Sequence, residues 1–328
     1  MTTPATGWRD RRVLVTGGAG FLGANLCQAL VERGARVRVV DDFLAEGGAS
    51  VANLRGVEVE FVRGDIGAID LRPLVRGTDA IFNLAARTSH MDAQREPYAD
   101  AAVNVLAQLR LIEAVREEAP AAVVVHASTR QVYGRPQRLP VVEDHPVAPR
   151  DANAIAKLAG EQYWMLEHRV RSAPIVALRL TNCYGPRMRI RDGRQNFFGA
   201  WIGQLMRRQP FEVWDGDQLR DLTFVGDVTA AFLAAAETPA CRGLIFNIGG
   251  RRPVTLRELA DVVVRICGES AAYTTRGLPA DRSRIDIGSY HADDSAFRGA
   301  TGWSPTTDFA DGFRHTLDWF RDNGADYL

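Results

Sequence analysis

The 328-residue chain lacks most of what would commit it to a metal, a membrane or a nucleic acid. Its four cysteines, Cys27, Cys183, Cys241 and Cys267, stand far apart, and no C-x-x-C pair lies near a histidine. A zinc ligand set is therefore missing, and reduced, buried thiols are expected. Neither charge is in surplus, since 40 Lys+Arg balance 40 Asp+Glu. That balance excludes a global basic field for nucleic acid or anionic lipid, while leaving room for a local anion pocket. No uncharged apolar run reaches the length of about 18 residues that a membrane span needs. The opening MTTPATGWRDRR lacks the basic-then-apolar order of a secretion signal, so a cytoplasmic location is expected. Repeats and low-complexity tracts are missing too.

What the chain does have is alternation. Short β-branched runs (VLVTG, VRVVD, VEVEFV, AIFNLAA, AAVVVHAS) take turns with helical patterns from Arg11 to Ala127, and PIVALRL and LIFNIGG follow later. Runs apolar throughout, rather than alternating with polar residues, are buried on both faces, which is the mark of βαβ units and a parallel sheet. Beyond Leu180 the rhythm changes to an Arg-, Gly- and Asn-rich loop, a helix near FFGAWIGQLMRR and a strand at FEVWDG.

Gly17, Gly20 and Gly23 in TGGAGFLG follow the first strand directly and precede a helical pattern. In that position glycines let the chain turn and let the backbone of Gly17, Gly20, Phe21, Leu22 and Gly23 approach a pyrophosphate at a helix N-terminus. Asp41 ends the second strand, near the spacing of about 20 residues at which a carboxylate meets the adenosine ribose. It would repel a 2′-phosphate, so NAD is expected rather than NADP. Asp42 shares that place or is simply solvated. Asp65 and Ile66 (GDI) are expected beside the adenine, and Leu84, Ala85 and Ala86 (NLAA) close the fourth strand with residues a dinucleotide can pass. The fold expected is α/β, a Rossmann-type doubly wound parallel sheet with a smaller C-terminal α/β substrate-binding domain. Residues 1–181, with 222–249 returning, form the NAD-binding domain, and 182–221 with 250–328 form the other.

With TGGAGFLG, VVDD, GDI, NLAA, STRQVYG, RLTNCYGPR and QLRDLTFVGDV in order, the chain resembles the extended short-chain dehydrogenase/reductase family, specifically its nucleotide-sugar epimerases and dehydratases. The resemblance implies a tightly held NAD that takes a hydride from a sugar carbon and usually returns it. It implies that Thr129, three residues before Val132, hydrogen-bonds the reacting hydroxyl or carbonyl, and that Lys157 binds the nicotinamide ribose. The family's tyrosine is absent: Asn153 stands four residues before Lys157, on the same helix face, and an amide takes no proton near neutral pH. Tyr163 lies about 240° round the helix, and Tyr133 matches a structural position. Lys157 itself, or His90 after NLAA, remains as proton acceptor. Arg130 and Gln131 replace the Asp-Glu pair of the family's dehydratases, and Arg130 is a candidate for a substrate carboxylate or phosphate, or for a local salt bridge.

For the nucleoside diphosphate, the resemblance points to Asn182, Asn196, Arg220 and either Arg282 or Arg284, with Trp214 beside the base. It also implies a homodimer through a four-helix bundle formed by helices near 99–118 and 152–169. The expected function is an NAD-dependent nucleotide-sugar epimerase, at C4. Two alternatives stand beside it: a 4,6-dehydratase, decarboxylase or oxidoreductase on a similar sugar, and a non-catalytic protein that binds NAD and sugar nucleotide after losing the tyrosine.

Overall fold

The computed structural model describes residues 6–44, 48–193 and 196–328. In chain order the first half contains β1 (Arg12–Thr16), α1 (Phe21–Glu32), β2 (Arg36–Asp41), β3 (Glu60–Arg63), α2 (Arg72–Val75), β4 (Ala80–Asn83), α3 (His90–Arg95), α4 (Pro97–Ala101), α5 (Ala107–Glu118), β5 (Val123–Thr129), α6 (Ala152–Arg171) and β6 (Ile175–Leu180). There follow β7 (Asn182–Tyr184), α7 (Phe197–Met206), β8 (Phe211–Trp214), β9 (Leu219–Arg220), β10 (Leu222–Phe224), α8 (Val225–Glu237), β11 (Ile245–Ile248), β12 (Val254–Thr255), α9 (Leu256–Cys267), β13 (Tyr273–Arg276), α10 (Ala280–Ser283), α11 (Ser295–Thr301) and α12 (Phe309–Asn323).

Seven strands make one sheet in the order β11-β6-β5-β4-β1-β2-β3, every neighbouring pair parallel. The apolar runs explain it: both faces of the sheet are covered. On one, Leu26 and Leu30 of α1 and Phe232 of α8 pack against Val15, Phe82 and Val125. On the other, Leu111 and Ile112 of α5 and Trp164 and Met165 of α6 pack against Leu14, Ile81 and Val124. Strand order reverses between β1 and β4, and at such a switch point a crevice opens outside the carboxyl ends of the strands. A third core, built on Phe198, Trp201, Phe211, Phe313 and Phe320, joins α7, α9 and α12 to the short β8–β13 ladder. No helix among the described residues is long and apolar enough to cross a membrane.

One helix departs from regularity. The stretch expected to be helical from 99 to 118 runs as α4, a turn of π-helix over Ala102–Leu106, and α5. Asn104 in that wide turn donates from Nδ2 to the carbonyl of Arg87 at 3.0 Å, tying the helix to the loop after β4. The carbonyl of Asn104 comes so close to α6 that a Cβ on Gly160 would lie 2.6 Å from it.

Candidate active site

The cofactor end is built from backbone. Gly17 adopts φ +68°, and a Cβ there would lie 2.8 Å from the amide nitrogen of Ala85. A Cβ on Gly23 would reach 2.3 Å from the Gly17 carbonyl, so glycine alone lets α1 begin this close to β1. Gly20 is the N-cap of α1 and no side chain caps the helix. The N–H groups of Phe21, Leu22 and Gly23 therefore have no intrahelical acceptor and are available to an anion.

Asp41 closes β2, with Oδ2 accepting from Ala19 N and Oδ1 from Phe43 N, both at 2.9 Å. Burial pushes its carboxyl up, against the lowering effect of those two bonds. Lone pairs remain for ribose hydroxyls. Asp42 accepts from Leu44 N at 3.2 Å, and burial raises its carboxyl as well. Asp65 accepts from Gly67 N at 2.7 Å beside buried Ile66, and both line the cleft with Leu84, Ala85 and Ala86.

The chemical end gathers on β5 and α6. Thr129 is the last residue of β5, and its Oγ1 accepts from Gln131 N at 3.2 Å, which leaves its hydroxyl proton to donate. Lys157 faces the same cleft. Burial lowers its ammonium to about 8, with the Asp100 carboxylate opposing the shift. Asn153, fully buried, donates from Nδ2 to the Arg87 carbonyl and to Asp100 Oδ1, each at 2.8 Å. Its amide protons thus hold the loop after β4 against α6, and only its Oδ1 is uncommitted among the described residues. Tyr163 is exposed on the outer face of α6, and Tyr133 is buried with its hydroxyl on Asn247 Oδ1 at 2.8 Å.

His90 opens α3, and its Nδ1 lies 3.1 Å from Oδ2 of Asp151, whose side chain is 1% exposed. Asp151 is also the N-cap of α6, accepting from Ala154 N at 2.8 Å. Burial pushes the Asp151 carboxyl up, but His90 and the helix amides outweigh it and hold the carboxyl below its ordinary range. The imidazole is off line for a straight hydrogen bond, as catalytic contacts often are before substrate binds. A carboxylate at Nδ1 favours the proton there, leaving Nε2, 3.4 Å from Gln131 Nε2, as the basic nitrogen.

The substrate end is a second cavity of ≈ 380 Å³ that shares His90, Arg130, Gln131, Asn182 and Asn196 with the cofactor cleft of ≈ 270 Å³. Trp214 lines it with the Arg282 guanidinium 4.6 Å from its ring centre. Arg220 lies 3.5 Å from Asp286 and donates to the Gly288 carbonyl at 2.8 Å, and burial lowers it to about 10. Asn196 caps α7 at Phe198 N and donates to the Cys183 carbonyl, both at 2.8 Å. Asn182 accepts from Arg130 at 2.5 Å. Arg284 is exposed and does not line either cavity; its carbonyl accepts from Arg150 at 3.0 Å. Sequence reasoning missed Asp151, Asp100 and Gln131 as parts of this site. Asp151 caps α6 in the structure, and nothing in the sequence announced its contact with His90.

Residues 13–249 match the model of the NAD dependent epimerase/dehydratase family. The chain belongs to that family. A UDP-glucose 4-epimerase of Mycolicibacterium smegmatis is 34% identical over 94% of this chain and 98% of its own. Among solved structures, an epimerase from Methanothermobacter thermautotrophicus superposes with a TM-score of 0.91 at 26% identity, covering 98% of this chain and 95% of that one. A UDP-glucuronic acid 4-epimerase from Bacillus cereus, solved with UDP-glucuronic acid and NAD, gives 0.84 at 28% identity over 95% of this chain and 99% of its own. This member of the epimerase/dehydratase family is an NAD-dependent enzyme, and the glycine cradle, the uncapped α1, the carboxylate ending β2 and the cleft-facing Lys157 all fit that cofactor.

Proposed function

We propose that the chain is an NAD-dependent nucleotide-sugar 4-epimerase in which His90, held by Asp151, replaces the missing tyrosine as proton acceptor and donor. The observation that carries this reading is the continuity of the two cavities. A cofactor cleft ending at Thr129 and Lys157 runs into a cavity lined by Trp214, Arg220 and Arg282, so one nucleoside diphosphate sugar spans from aromatic ring to reaction centre. Bound NAD would supply a reversible hydride acceptor for the sugar carbon, allowing return of the hydride to the opposite face of the sugar. Thr129 donates to the sugar oxygen on which charge develops. Lys157 would hold the nicotinamide ribose, and its positive charge, disfavouring the cationic oxidised ring, would promote hydride uptake. His90 Nε2 takes the hydroxyl proton as the hydride leaves and gives it back afterwards. Asn153 positions the loop after β4 through Arg87 and Asp100.

Arg130 and Gln131 stand where dehydratases carry their acid pair, so elimination of water lacks its proton carriers, and the mass-neutral reaction is favoured. We assign residues 1–181 with 222–249 to the cofactor and the remainder to the sugar nucleotide. We also assign the exposed apolar row Ile155, Tyr163, Leu166 and Val170 on α6, with Tyr98 and Leu106 nearby, to a second copy in a four-helix bundle. The reading is tested by incubating the protein and NAD with a panel of UDP- and dTDP-hexoses and analysing products by mass and NMR. A product of unchanged mass with C4 inverted is expected. Binding without turnover across the panel would make the chain a binding protein instead.

A further inference from the structure

Among the described residues, four arginines are buried at 8% exposure or less: Arg130, Arg179, Arg189 and Arg220. Three of them have a carboxylate within ion-pair distance: Arg179 meets Glu161 at 2.6 Å, Arg189 meets Asp192, and Arg220 meets Asp286 at 3.5 Å. Arg130 has none among the described residues. Its partners are the neutral Asn182 Oδ1 at 2.5 Å and the face of Tyr290, 5.2 Å from guanidinium to ring centre. Burial lowers its pKa, and Tyr290, Asp221 and Asp286, neither carboxylate within ion-pair distance, oppose the shift without cancelling it. A buried charge is ordinarily paired. An unpaired one at a cavity wall points to a partner that arrives with the ligand.

Its place says which part of the ligand. Arg130 follows Thr129 directly in the turn that ends β5, and it lines both the cofactor cleft and the substrate cavity. It therefore sits where the sugar ring must lie, between the hydroxyl of Thr129 and the aromatic end at Trp214. Arg220 is near enough that the Arg130 guanidinium disfavours its charge, so the junction carries two positive groups and only one local carboxylate within ion-pair reach. One Nη2 proton goes to Asn182, which leaves a guanidinium edge free for planar, bidentate recognition.

We infer that Arg130 receives a carboxylate carried by the sugar, so that the substrate is an acidic nucleotide sugar such as a nucleoside diphosphate uronic acid. The inference rests on the sugar-nucleotide reading above. A neutral hexose offers only hydroxyls and leaves the guanidinium buried with no counter-charge within ion-pair distance. A carboxylate neutralises it in a water-poor site, where such a pair is strongest.

The same charge would suit the diphosphate, and binding experiments separate the two. With NAD present, calorimetry measures UDP-glucuronic acid, UDP-glucose and UDP, and the matched set GDP-mannuronic acid, GDP-mannose and GDP, against wild type, Arg130→Gln and Arg130→Lys. The acidic sugar is expected to bind at least about tenfold tighter than its neutral mate, and Arg130→Gln to weaken the acidic sugar by about a hundredfold. The neutral sugar and free diphosphate should change by less than about threefold, with Arg130→Lys falling between. NAD affinity serves as the check that each variant is folded, and the wild-type preference stands as a test even if a variant is not. Equal or weaker binding of the acidic sugar by wild type would overturn the inference. So would an equal loss for all three ligands in Arg130→Gln, which would make Arg130 a diphosphate contact. Binding of NAD with no sugar nucleotide of either set would overturn the sugar-nucleotide reading itself, and this inference with it.

Discussion

Asp151 has two partners that pull apart under mutation: the first turn of α6 and the imidazole of His90. Asparagine caps a helix about as well as aspartate, so Asp151→Asn should keep the unfolding midpoint and NAD affinity while removing the charge that holds His90 in its basic tautomer. We expect kcat to fall by between tenfold and the factor of about 10⁴ that a wrong tautomer can cause. His90→Ala should lower kcat by about 10²–10⁴, with partial rescue by added imidazole; an unaffected rate in both variants would rule out the pair.

Lys157 gives a pH test. Its folded pKa of about 8 lies below the ordinary 10.5, so between those values the unfolded chain holds the extra proton and stability rises with pH. The deficit of wild type relative to Lys157→Met should therefore shrink as urea unfolding is repeated from pH 7.5 upward to about 10, and a constant difference would contradict the shift. At this scale the sequence disclosed the loss of the tyrosine and the types of its candidate substitutes. It could not disclose that Asn153 is bonded to Arg87 and Asp100, 66 and 53 residues away, because such partners are set by the fold.

Among elements, α6 matters most, since it carries Asn153 and Lys157 and packs against the π turn at Asn104. Alanine at Gly160 would gain up to about 1 kcal/mol of helix propensity. Its Cβ would meet a backbone oxygen at 2.6 Å, which cannot rotate away. The clash should win, so Gly160→Ala is expected to lower unfolding stability by a net of about 1–3 kcal/mol; a gain would show that the helices separate freely. The long strands were legible because each is a continuous apolar run. The strand expected at VEVEFV proved shorter and shifted by one residue at its end, Glu60–Arg63, as suits an edge strand bonded on one side. The two-residue ladder of β9 with β12 had no signal, because its pairing comes from tertiary contact alone.

For the whole molecule, the glycine cradle and strand alternation foretold the parallel sheet and its switch-point crevice, since both depend on local sequence. The joining of the crevice to the Trp214 cavity was not legible, because it needs β5, α3 and α10 brought together from distant parts of the chain. The outer row on α6 predicts assembly: Val170 is 62% and Ile155 57% exposed, a pattern costly for a lone molecule in water. Wild type should sediment as a dimer and the double variant Ile155→Glu, Val170→Glu as a folded monomer; a monomeric wild type would refute the interface. The central claim, reversible oxidation at C4 between NAD and His90, is tested most directly by running the reaction to equilibrium in deuterium oxide. The account predicts product inverted at C4 that keeps the substrate's own hydrogen on that carbon, because the hydride never meets solvent. Deuterium at C4, or loss of water or carbon dioxide from the product, would contradict it.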